Sequence, residues 1–313
     1  MKVLIIATEW TDKTGHTDKY KLVKKGIEAN GDTVVEKHIM DLNNPIEFIQ
    51  LLNSVDVAWM WGMSNIETQK KKNLSAIIEW DIDSMFMQIR QSIPYVVMER
   101  GFTGDRCDTM FSVGWNGLNG EANHLKEYAD NKRLHHIENL IKPWRTESEG
   151  IYTLIIGQMP MDTSLTSVDY GSKTEYNTQE LTKEDIDFND WIRKQVKHYE
   201  EIGVVQFRPH PGSTHYEWPW TLEEQLNKAS RVVTYSSTVG VESVLAGIPT
   251  VATHSVSMVY NLLKESTTPD RTEWFNELTY SQWTLEEIEK GETWNHLRKR
   301  VPAISAAATA SHI

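Results

Sequence analysis

Polar residues that could bind a phosphorylated ligand are concentrated between positions 206 and 252. The turn His210-Pro211-Gly212 follows a short apolar strand predicted at 204–208, and Ser236-Ser237-Thr238 follows a second strand predicted at 231–235. Open α/β sheets hold phosphorylated ligands at the carboxyl ends of their parallel strands. A histidine and three hydroxyls at two such ends therefore predict a site for an anion.

The hydroxyl triplet also precedes a helix predicted at 239–246, which Gly247 and Pro249 end before a third strand at 250–253. Hydroxyls and unbonded N–H groups at a helix start attract an anion. An ordinary N-cap uses the same residue types. Because the triplet lies one βα unit after the His-Pro turn, we interpret it as part of a ligand site.

At these residues the chain resembles the capsule-polysaccharide-type glycosyltransferases of the GT-B fold. In that family a His-Pro pair and a Ser-Ser or Ser-Thr pair hold the phosphates of a sugar nucleotide. A strand that enters a Gly-Gln loop, here at 155–164, is a third shared motif, and the resemblance covers roughly 151–297. It implies a donor site with a ribose contact from Glu242 and further contacts from Gln158, Asp162, Ser164, Arg208, His210, Ser236, Ser237 and Thr238.

The chain length and the alternation of patterns predict two domains. A chain of 313 residues suits two domains of about 150 residues each. Strand and helix patterns alternate in both halves, which predicts parallel, Rossmann-like sheets. We predict an α/β GT-B fold with a cleft between an N-terminal acceptor domain at 1–145 and a nucleotide-sugar domain at 146–270. The polar, proline-containing stretch 142–150 is the expected linker.

The remaining elements follow from apolar runs and capping residues. Strands are predicted at 3–7, 34–38, 55–61, 95–98 and 110–113, and helices at 68–90 and 123–141. The segment 271–313 begins with two helices, capped near Ser281 or Thr284 and broken at Gly291. In GT-B enzymes the C-terminal helices commonly cross back to the first domain, and the resemblance implies the same role here.

The strand predicted at 95–98 ends in Glu99-Arg100-Gly101, which predicts a general base. This sequence is similar, in part, to sialyltransferase-like GT-B enzymes, which have an acidic pair and Gly here, and to the phage DNA β-glucosyltransferase, which has an acid followed two residues later by Arg. Desolvation raises a carboxylate's pKa, so Glu99 could accept a proton from an acceptor hydroxyl. Alternatively, Glu99 forms a loop-fixing ion pair with Arg100 or Arg106, and Asp105 or Glu9 is the base.

Two loops supply further candidate contacts. The Gly/Asn-rich stretch 111–121 resembles phage-borne relatives of the family, and its glycine spacing differs from the G-x-G-x-x-G of nicotinamide sites. The first βα loop faces the cleft in this fold. We predict Gly15 and His16 as donor contacts, and as acceptor contacts Trp10, Arg100, Arg106 and Asn116.

Composition narrows the classes of protein. A single cysteine suits a reducing cytoplasm, and there is neither a signal peptide nor an apolar run of about 18 residues, so we expect a cytoplasmic protein without a membrane span. A net charge of −12 argues against general nucleic-acid binding, although basic segments occur at 70–72, 132–133 and 298–300.

Metal chemistry has little support in the sequence. No cysteine cluster or zinc spacing occurs, and Asp81-Ile82-Asp83, which is similar to the Asp-x-Asp metal motif, is interpreted as a capping segment. His135-His136 is interpreted as helix surface rather than as a ligand pair. We predict no metal and no cofactor beyond a UDP- or CMP-linked sugar as co-substrate, because helix dipoles, hydroxyls and histidine can stabilise a leaving diphosphate.

The leading hypothesis is a sugar-nucleotide-dependent glycosyltransferase. Its acceptor is either a hydroxymethylated pyrimidine in double-stranded phage DNA, where a base would be turned out of the duplex, or a growing surface glycan. The compact chain and its Gly/Asn loop favour DNA slightly, whereas the acidic net charge argues against it. Two other classes stay open: a sugar-nucleotide epimerase of the same fold, and a binding protein without activity.

Overall fold

The chain forms two compact units. A computed structural model describes residues 1–7, 16–42, 44–62, 82–104, 109–158, 183–211 and 219–303. The first unit comprises Met1–Leu118, Ala122–Asp130 and Thr279–Ile313, and the second comprises Asn119–Glu121 and Asn131–Leu278. The stretch 142–150, predicted as a linker, therefore lies within the second unit, and the last part of the chain belongs to the first.

The first unit contains a six-stranded sheet with the order β10-β5-β4-β3-β1-β2. Its strands are β1 (Lys2–Ala7), β2 (Thr33–His38), β3 (Val57–Trp61), β4 (Tyr95–Arg100), β5 (Met110–Trp115) and β10 (Gln282–Thr284). The apolar runs at the centre of the sheet are almost completely buried, as their β-branched and aromatic composition predicts. The strands expected at 3–7, 34–38, 55–61, 95–98 and 110–113 are confirmed.

The first sheet is mixed, which corrects the expectation of a wholly parallel sheet. Strands β2, β1, β3 and β4 are parallel, but β5 is antiparallel to β4 and β10 is antiparallel to β5. Only residues 101–109 connect β4 to β5. A parallel crossover needs about a dozen residues or more, so this short connection permits only an antiparallel neighbour.

The helices of the first unit begin and end where capping residues favour it. They are α1 (His16–Ala29), α2 (Pro45–Leu52) and α3 (Ile82–Ser92). Asn44 caps α2, because its side chain accepts hydrogen bonds from the N–H groups of Ile46 and Glu47, and Pro45 occupies the first turn. Of the helix predicted at 68–90, residues 82–90 lie in α3, and positions 68–81 lie outside the described residues.

The continuous helix predicted at 123–141 is wrong. The backbone leaves the helical region at Leu125, where φ is 55°, and again at Ala129, where ψ is 132°. Short 3₁₀ turns at Lys126–Tyr128, Asn131–His136 and Glu138–Leu140 replace the helix. Elsewhere the described chain has 3₁₀ turns at Ile39–Asp41, Asn119–Glu121 and Glu147–Glu149. His135 and His136 lie in one of these turns rather than on a helix.

The second unit contains a four-stranded parallel sheet with the order β7-β6-β8-β9. Its strands are β6 (Tyr152–Ile156), β7 (Val205–Arg208), β8 (Ala229–Thr234) and β9 (Thr250–Ala252). The intervening helices are α4 (Lys183–Glu200), α5 (Leu222–Lys228) and α6 (Val239–Leu245). The strand-loop-helix-strand order predicted from 204 to 253 is confirmed.

The C-terminal part of the chain adds a strand and helices. It forms α7 (Thr272–Ser281), then β10, α8 (Leu285–Lys290) and α9 (Glu292–Leu297). Thr284 and Glu287 form the capping box of α8, and Gly291, with φ of 80°, ends it. The cap and the break were predicted; β10, only three residues long, was not.

Two glycines allow the C-terminal segment to pack closely on α1. A Cβ added at Gly26 would lie 1.9 Å from the carbonyl oxygen of Ile288, and Asn30 donates a hydrogen bond of 2.9 Å to the carbonyl oxygen of Gly291. Beside this contact, the Trp294 ring packs 6.1 Å from both the Trp59 and the Trp115 ring. Helix α1 and the segment that carries α8 and α9 therefore share one core.

We expect Gly26→Ala to lower the free energy of unfolding by at least about 1–3 kcal/mol, because the added methyl group would overlap a backbone oxygen that cannot move alone. Gly203→Ala is the control, since nothing lies within 4 Å of a Cβ at that position. Urea unfolding measures both. Equal stability of the two variants would contradict the close packing of α1 on the C-terminal segment.

Candidate functional site

The second unit has a switch in strand order between β6 and β8. The chain passes from β6 to β7 on one side and then returns to place β8 on the other side of β6. Ligands bind outside the carboxyl ends of strands at such a point, because the connections diverge and leave a crevice. Gln158 follows β6 and Ser236 follows β8, so both predicted residues lie at this crevice.

Three hydrogen bonds join Gln158 to Ser236. The Gln158 Oε1 atom accepts from the Ser236 backbone N–H at 3.0 Å and from its hydroxyl at 3.2 Å, and Gln158 Nε2 lies 3.0 Å from the same hydroxyl. Both residues are buried, with 6% and 3% of their surface exposed. Because buried amides must be bonded, this side chain fixes the course of the loop after β8.

The N–H groups after β8 are mostly engaged within the chain, which corrects the expectation of unbonded donors. Ser237 N–H donates to Thr234 Oγ1 at 3.0 Å, and Val239 N–H donates to Ser237 Oγ at 3.3 Å. Gly240 N–H donates to the Ser237 carbonyl at 3.0 Å. Hydroxyls, rather than backbone amides, are therefore the groups that the loop can offer to an anion.

Arg208 lies at the carboxyl end of β7, one strand from the crevice. Gly157 permits this approach, because a Cβ there would lie 3.2 Å from the Arg208 carbonyl oxygen. The guanidinium Nη1 donates to the carbonyl oxygen of Trp220 at 3.1 Å and to the side-chain oxygen of Gln225. Burial lowers its pKa, and no carboxylate among the described residues contributes to that shift. An arginine stays charged in a protein, and both of its hydrogen-bond acceptors among the described residues are neutral groups.

The other predicted donor-binding residues differ in their exposure and in the element on which they lie. His210 is exposed two residues after β7, Thr238 is half-buried in the loop before α6, and Glu242 is half-buried within α6. The structure brings Gln158, Ser236 and Ser237 together at one edge of the sheet. Asp162 and Ser164 lie outside the described residues.

An aromatic group beside the crevice was missed by sequence reasoning. The Tyr235 and His254 rings stack at 4.5 Å, and Phe188 and Trp191 lie within 5.6 Å of Tyr235. Burial lowers the pKa of His254, and its Nδ1 accepts the Val256 N–H at 3.3 Å, so the ring is neutral with its proton on Nε2. The strand-end rule applied to β9 would have found His254, which follows β9 by two positions.

In the first unit Glu99 lies beside another switch in strand order. Strand β2 lies on one side of β1 and β3 on the other, and β4 is the next neighbour of β3. A Cβ at Gly62 would lie 3.1 Å from Glu99 Oε2, so the carboxylate lies over the end of β3. Its other oxygen accepts the Arg100 backbone N–H at 2.9 Å. Tyr20, whose pKa is raised by burial and also by the charge of Glu99, lies close by.

Asn116 lies beside the amino end of β4, whereas Glu99 lies near its carboxyl end. The Asn116 N–H donates to the Tyr95 carbonyl at 2.8 Å, and its side-chain oxygen accepts the Tyr95 N–H at 3.0 Å. Tyr95 begins β4 and Arg100 ends it. Because β5 runs antiparallel, the residue after it returns to the start of β4, so Asn116 and Arg100 are separated by the length of the strand. Asn116 thus closes the β4–β5 pair rather than joining the predicted acceptor residues.

Several predicted residues of the first unit cannot be placed. Trp10, Gly15, Arg106 and the alternative bases Glu9 and Asp105 lie outside the described residues. His16 begins α1, and its side chain is also outside the description. Arg100, at the end of β4, is exposed.

The basic segment 298–300 is engaged within the first unit. Arg298 pairs with Asp32 at 3.2 Å, Lys299 Nζ lies 5.5 Å from the centre of the Tyr128 ring, and Arg300 pairs with Glu127 at 2.9 Å. Arg133, in the second basic segment, is buried with 7% exposed. Residues 70–72 lie outside the described residues. These cations are thus less available to a phosphate backbone than the sequence suggested.

In the described ranges, no three histidine, cysteine, aspartate or glutamate side chains are grouped so that they could hold a metal ion. Asp83 belongs to α3, and its side chain lies outside the description, as does Asp81. Among the helices that the structure describes, none is both long and apolar enough to cross a membrane.

Comparison with known proteins identifies the fold. No protein-family model matches the sequence, and no curated protein sequence matches it. The structure of Thermosulfurimonas dismutans KpsC, beta Kdo 2,7 transferase, aligns with a TM-score of 0.50 at 14% identity, covering 94% of this chain and 99% of that chain. At this identity the likeness shows the fold alone, so the chain has a two-unit α/β fold of the GT-B type.

Two further structures align more loosely. A glycosyltransferase from Rickettsia africae ESF-5 has a TM-score of 0.26 at 9% identity, covering 95% of this chain and 94% of that chain. A putative aspartate carbamoyltransferase from Trypanosoma cruzi has a TM-score of 0.26 at 10% identity, covering 92% and 83%. TM-scores this low carry no argument about fold or function.

We expect Gln158→Leu to reduce both stability and binding at the crevice, because the loop after β8 loses its bonds to the end of β6. The expected loss of unfolding free energy is about 1–3 kcal/mol, the usual cost of leaving a buried donor unbonded. Affinity for UMP or CMP, measured by calorimetry, should fall as well.

Gln282→Leu is the matched control for this change. Gln282 is also buried, with 1% exposed, and makes three hydrogen bonds, to Phe102 N–H, Thr103 N–H and the Thr103 hydroxyl, all in the first unit. It should lose similar stability and keep its nucleotide affinity. Normal nucleotide affinity in folded Gln158→Leu would remove Gln158 from the site.

Proposed function

We propose that the protein is a glycosyltransferase that moves a sugar from a nucleotide-sugar donor to an acceptor hydroxyl. One observation carries the proposal: buried, bonded polar groups at the carboxyl ends of β6 and β8 lie one strand from Arg208, whose hydrogen-bond acceptors in the described chain are both neutral. This is the position at which α/β sheets bind phosphorylated ligands. The GT-B type of fold is compatible with this chemistry and does not establish it.

The second unit would bind the donor. The hydroxyls of Ser236, Ser237 and Thr238 would face its phosphate oxygens, and Arg208 would supply positive charge. Glu242 would contact the ribose. Gln158 would act mainly by holding the loop, since its amide is already bonded to Ser236. Donor contacts from Gly15, His16, Asp162 and Ser164 remain proposals from the resemblance.

The leaving phosphate must gain negative charge when the sugar–oxygen bond breaks. Arg208 ends β7 and His210 follows two residues later, and both would stabilise that charge electrostatically. The acceptor oxygen would attack the anomeric carbon, the electron pair of the broken bond would go to the phosphate oxygen, and the acceptor proton would go to a carboxylate. In this proposal no metal and no cofactor take part besides a UDP- or CMP-linked donor.

Glu99 in the first unit is the proposed proton acceptor. It is the last residue but one of β4, and its carboxylate lies over Gly62 with Tyr20 nearby. A base must lie within hydrogen-bond reach of the proton that it removes. Trp10, Arg100 and Arg106 are proposed acceptor contacts, whereas Asn116 is not, because it lies at the other end of β4.

For the acceptor we favour a glycan hydroxyl over duplex DNA. Binding to a duplex depends mainly on cations that neutralise phosphates. The three cations of the segment 298–300 contact Asp32, the Tyr128 ring and Glu127 within the first unit, which leaves less charge for a duplex. DNA with hydroxymethylated pyrimidines remains the second acceptor to test.

Incubation with radiolabelled UDP- and CMP-sugars separates the possible activities. Transfer to an oligosaccharide supports the glycan acceptor, and transfer only to hydroxymethylated DNA supports the second. Isomerisation of the donor without any acceptor would identify an epimerase instead. Absence of turnover with every donor, despite measurable nucleotide binding, would contradict an enzymatic role.

We expect His210→Ala to lower kcat/KM by about 10²-fold or more, because it removes a group that stabilises charge on the leaving phosphate. His198→Ala is the control: His198 is also exposed, but it lies in the last turn of α4, which precedes the amino end of β7. An unchanged rate for folded His210→Ala would exclude His210 from the mechanism.

We expect Glu99→Gln to lower the transfer rate by about 10²–10⁴-fold while donor affinity stays near normal, because the amide keeps the shape but cannot accept a proton. Calorimetry measures donor binding and a radiolabel assay measures transfer. Glu36→Gln, on the exposed face of edge strand β2, is the control. Joint loss of stability, donor binding and activity would instead identify Glu99 as a structural residue.

A further inference from the structure

We propose that Gln225 is a positioning residue that holds Arg208 as a preorganised anion-binding group. The inference deepens the proposed function, because the anion would be the donor's phosphate, and it rests on that function for its biological meaning. Gln225 belongs to α5 and follows no strand, so the rule that singles out strand ends does not find it. It is 2% exposed and therefore does not itself offer a contact to a large ligand.

Within the described chain, Arg208 is hydrogen-bonded along only one edge of its guanidinium group. Nη1 donates to two neutral acceptors, the Trp220 carbonyl at 3.1 Å and the Gln225 side-chain oxygen. Its Nε and Nη2 groups have no hydrogen-bond partner among the residues that the structure describes. One edge of the planar guanidinium is thus anchored, and the other edge keeps the geometry that suits two oxygens of a phosphate.

Gln225 is itself held from three directions. Its Nε2 donates to Gln206 Oε1 at 3.4 Å, and its backbone carbonyl accepts the Tyr152 hydroxyl at 2.9 Å. The Thr221–Glu224 capping box fixes the first turn of α5, in which Gln225 lies. Because the amide has little freedom, it can orient the guanidinium before a ligand arrives, which reduces the entropy that binding costs.

Position 225 carries a neutral amide beside Arg208 rather than a carboxylate. A glutamate at position 225 could make the same hydrogen bond to Arg208 but would neutralise its charge. The nearby carboxylate of Glu224 accepts hydrogen bonds from Thr221 at 2.7 Å and 3.1 Å, so it is turned to the helix cap. A half-buried cation that bonds only neutral groups is costly unless an anion completes it. The geometry therefore favours an anionic ligand at Arg208.

The test compares Gln225→Glu with Gln225→Met, using calorimetric titration of UMP and CMP and, for comparison, of the uncharged nucleosides uridine and cytidine. Gln225→Glu keeps the hydrogen bond but cancels the charge, so we expect at least about a tenfold loss of nucleotide affinity. Gln225→Met removes the anchor and keeps the charge, so we expect a smaller loss. Nucleoside affinity should change in neither variant.

Gln282→Glu is the control for introducing a carboxylate at a buried glutamine. Gln282 lies in the first unit, so this substitution should change the unfolding midpoint without changing nucleotide affinity. Arg208→Ala should reduce the difference in affinity between nucleotides and nucleosides, and adding Gln225→Glu to it should cause no further loss. Nonadditivity of that kind distinguishes positioning of Arg208 from a general effect on folding.

Three results would overturn the inference. They are unchanged nucleotide affinity in folded Gln225→Glu, equal losses for nucleotides and nucleosides, and failure of the wild-type protein to bind either nucleotide. Failure of the proposed function gives a different result. If nucleotides bind in an Arg208- and Gln225-dependent way but no sugar is transferred, the positioning role stands and the glycosyltransferase proposal does not.

Discussion

The bond between Gln158 and Ser236 is the constraint on which the candidate site depends. Where β6 and β8 end, the chain can no longer satisfy its backbone groups through the sheet, and a buried N–H without a partner is costly. The side-chain oxygen of Gln158 provides a partner here, because it accepts hydrogen bonds from both the N–H and the hydroxyl of Ser236. The hydroxyl oxygens of Thr234 and Ser237 then accept the N–H groups of Ser237 and Val239, so the loop has a fixed course before any ligand binds.

Both units place their candidate residues near a switch in strand order, but the residues at the two switches differ in chemical type. In the second unit the switch in strand order is filled by a buried amide and hydroxyls, and a held arginine lies one strand away. In the first unit a carboxylate lies over Gly62, whose missing side chain leaves room for it. Phosphate binding needs fixed donors, whereas proton transfer needs a carboxylate near its partner. The two arrangements suit those separate tasks.

The strands with the clearest signal are those with continuous apolar runs, such as β1 and β3, because burial of both faces requires such a run. Two elements without that signal were missed or misjudged. The three residues of β10 depend on pairing with distant β5, and the helix expected at 123–141 fails because Leu125 adopts positive φ. Residues 236–238 were predicted from their position after a strand, and Gln158 and Arg208 from the family resemblance, whereas Asn116 could not be placed without knowing that β5 is antiparallel. Gln225 has no strand-end signal at all.

The pairing of β10 with β5 has a consequence for folding during synthesis. Trp283 pairs with Phe111, and α8 and α9 complete the core that begins with β1 and α1. A ribosome delivers all of the second unit, through Leu278, before it delivers these last elements of the first. The unit that is translated second can therefore finish folding first, while the earlier one exposes unfinished apolar surface. Such surface favours aggregation, which makes chaperone dependence greatest late in translation.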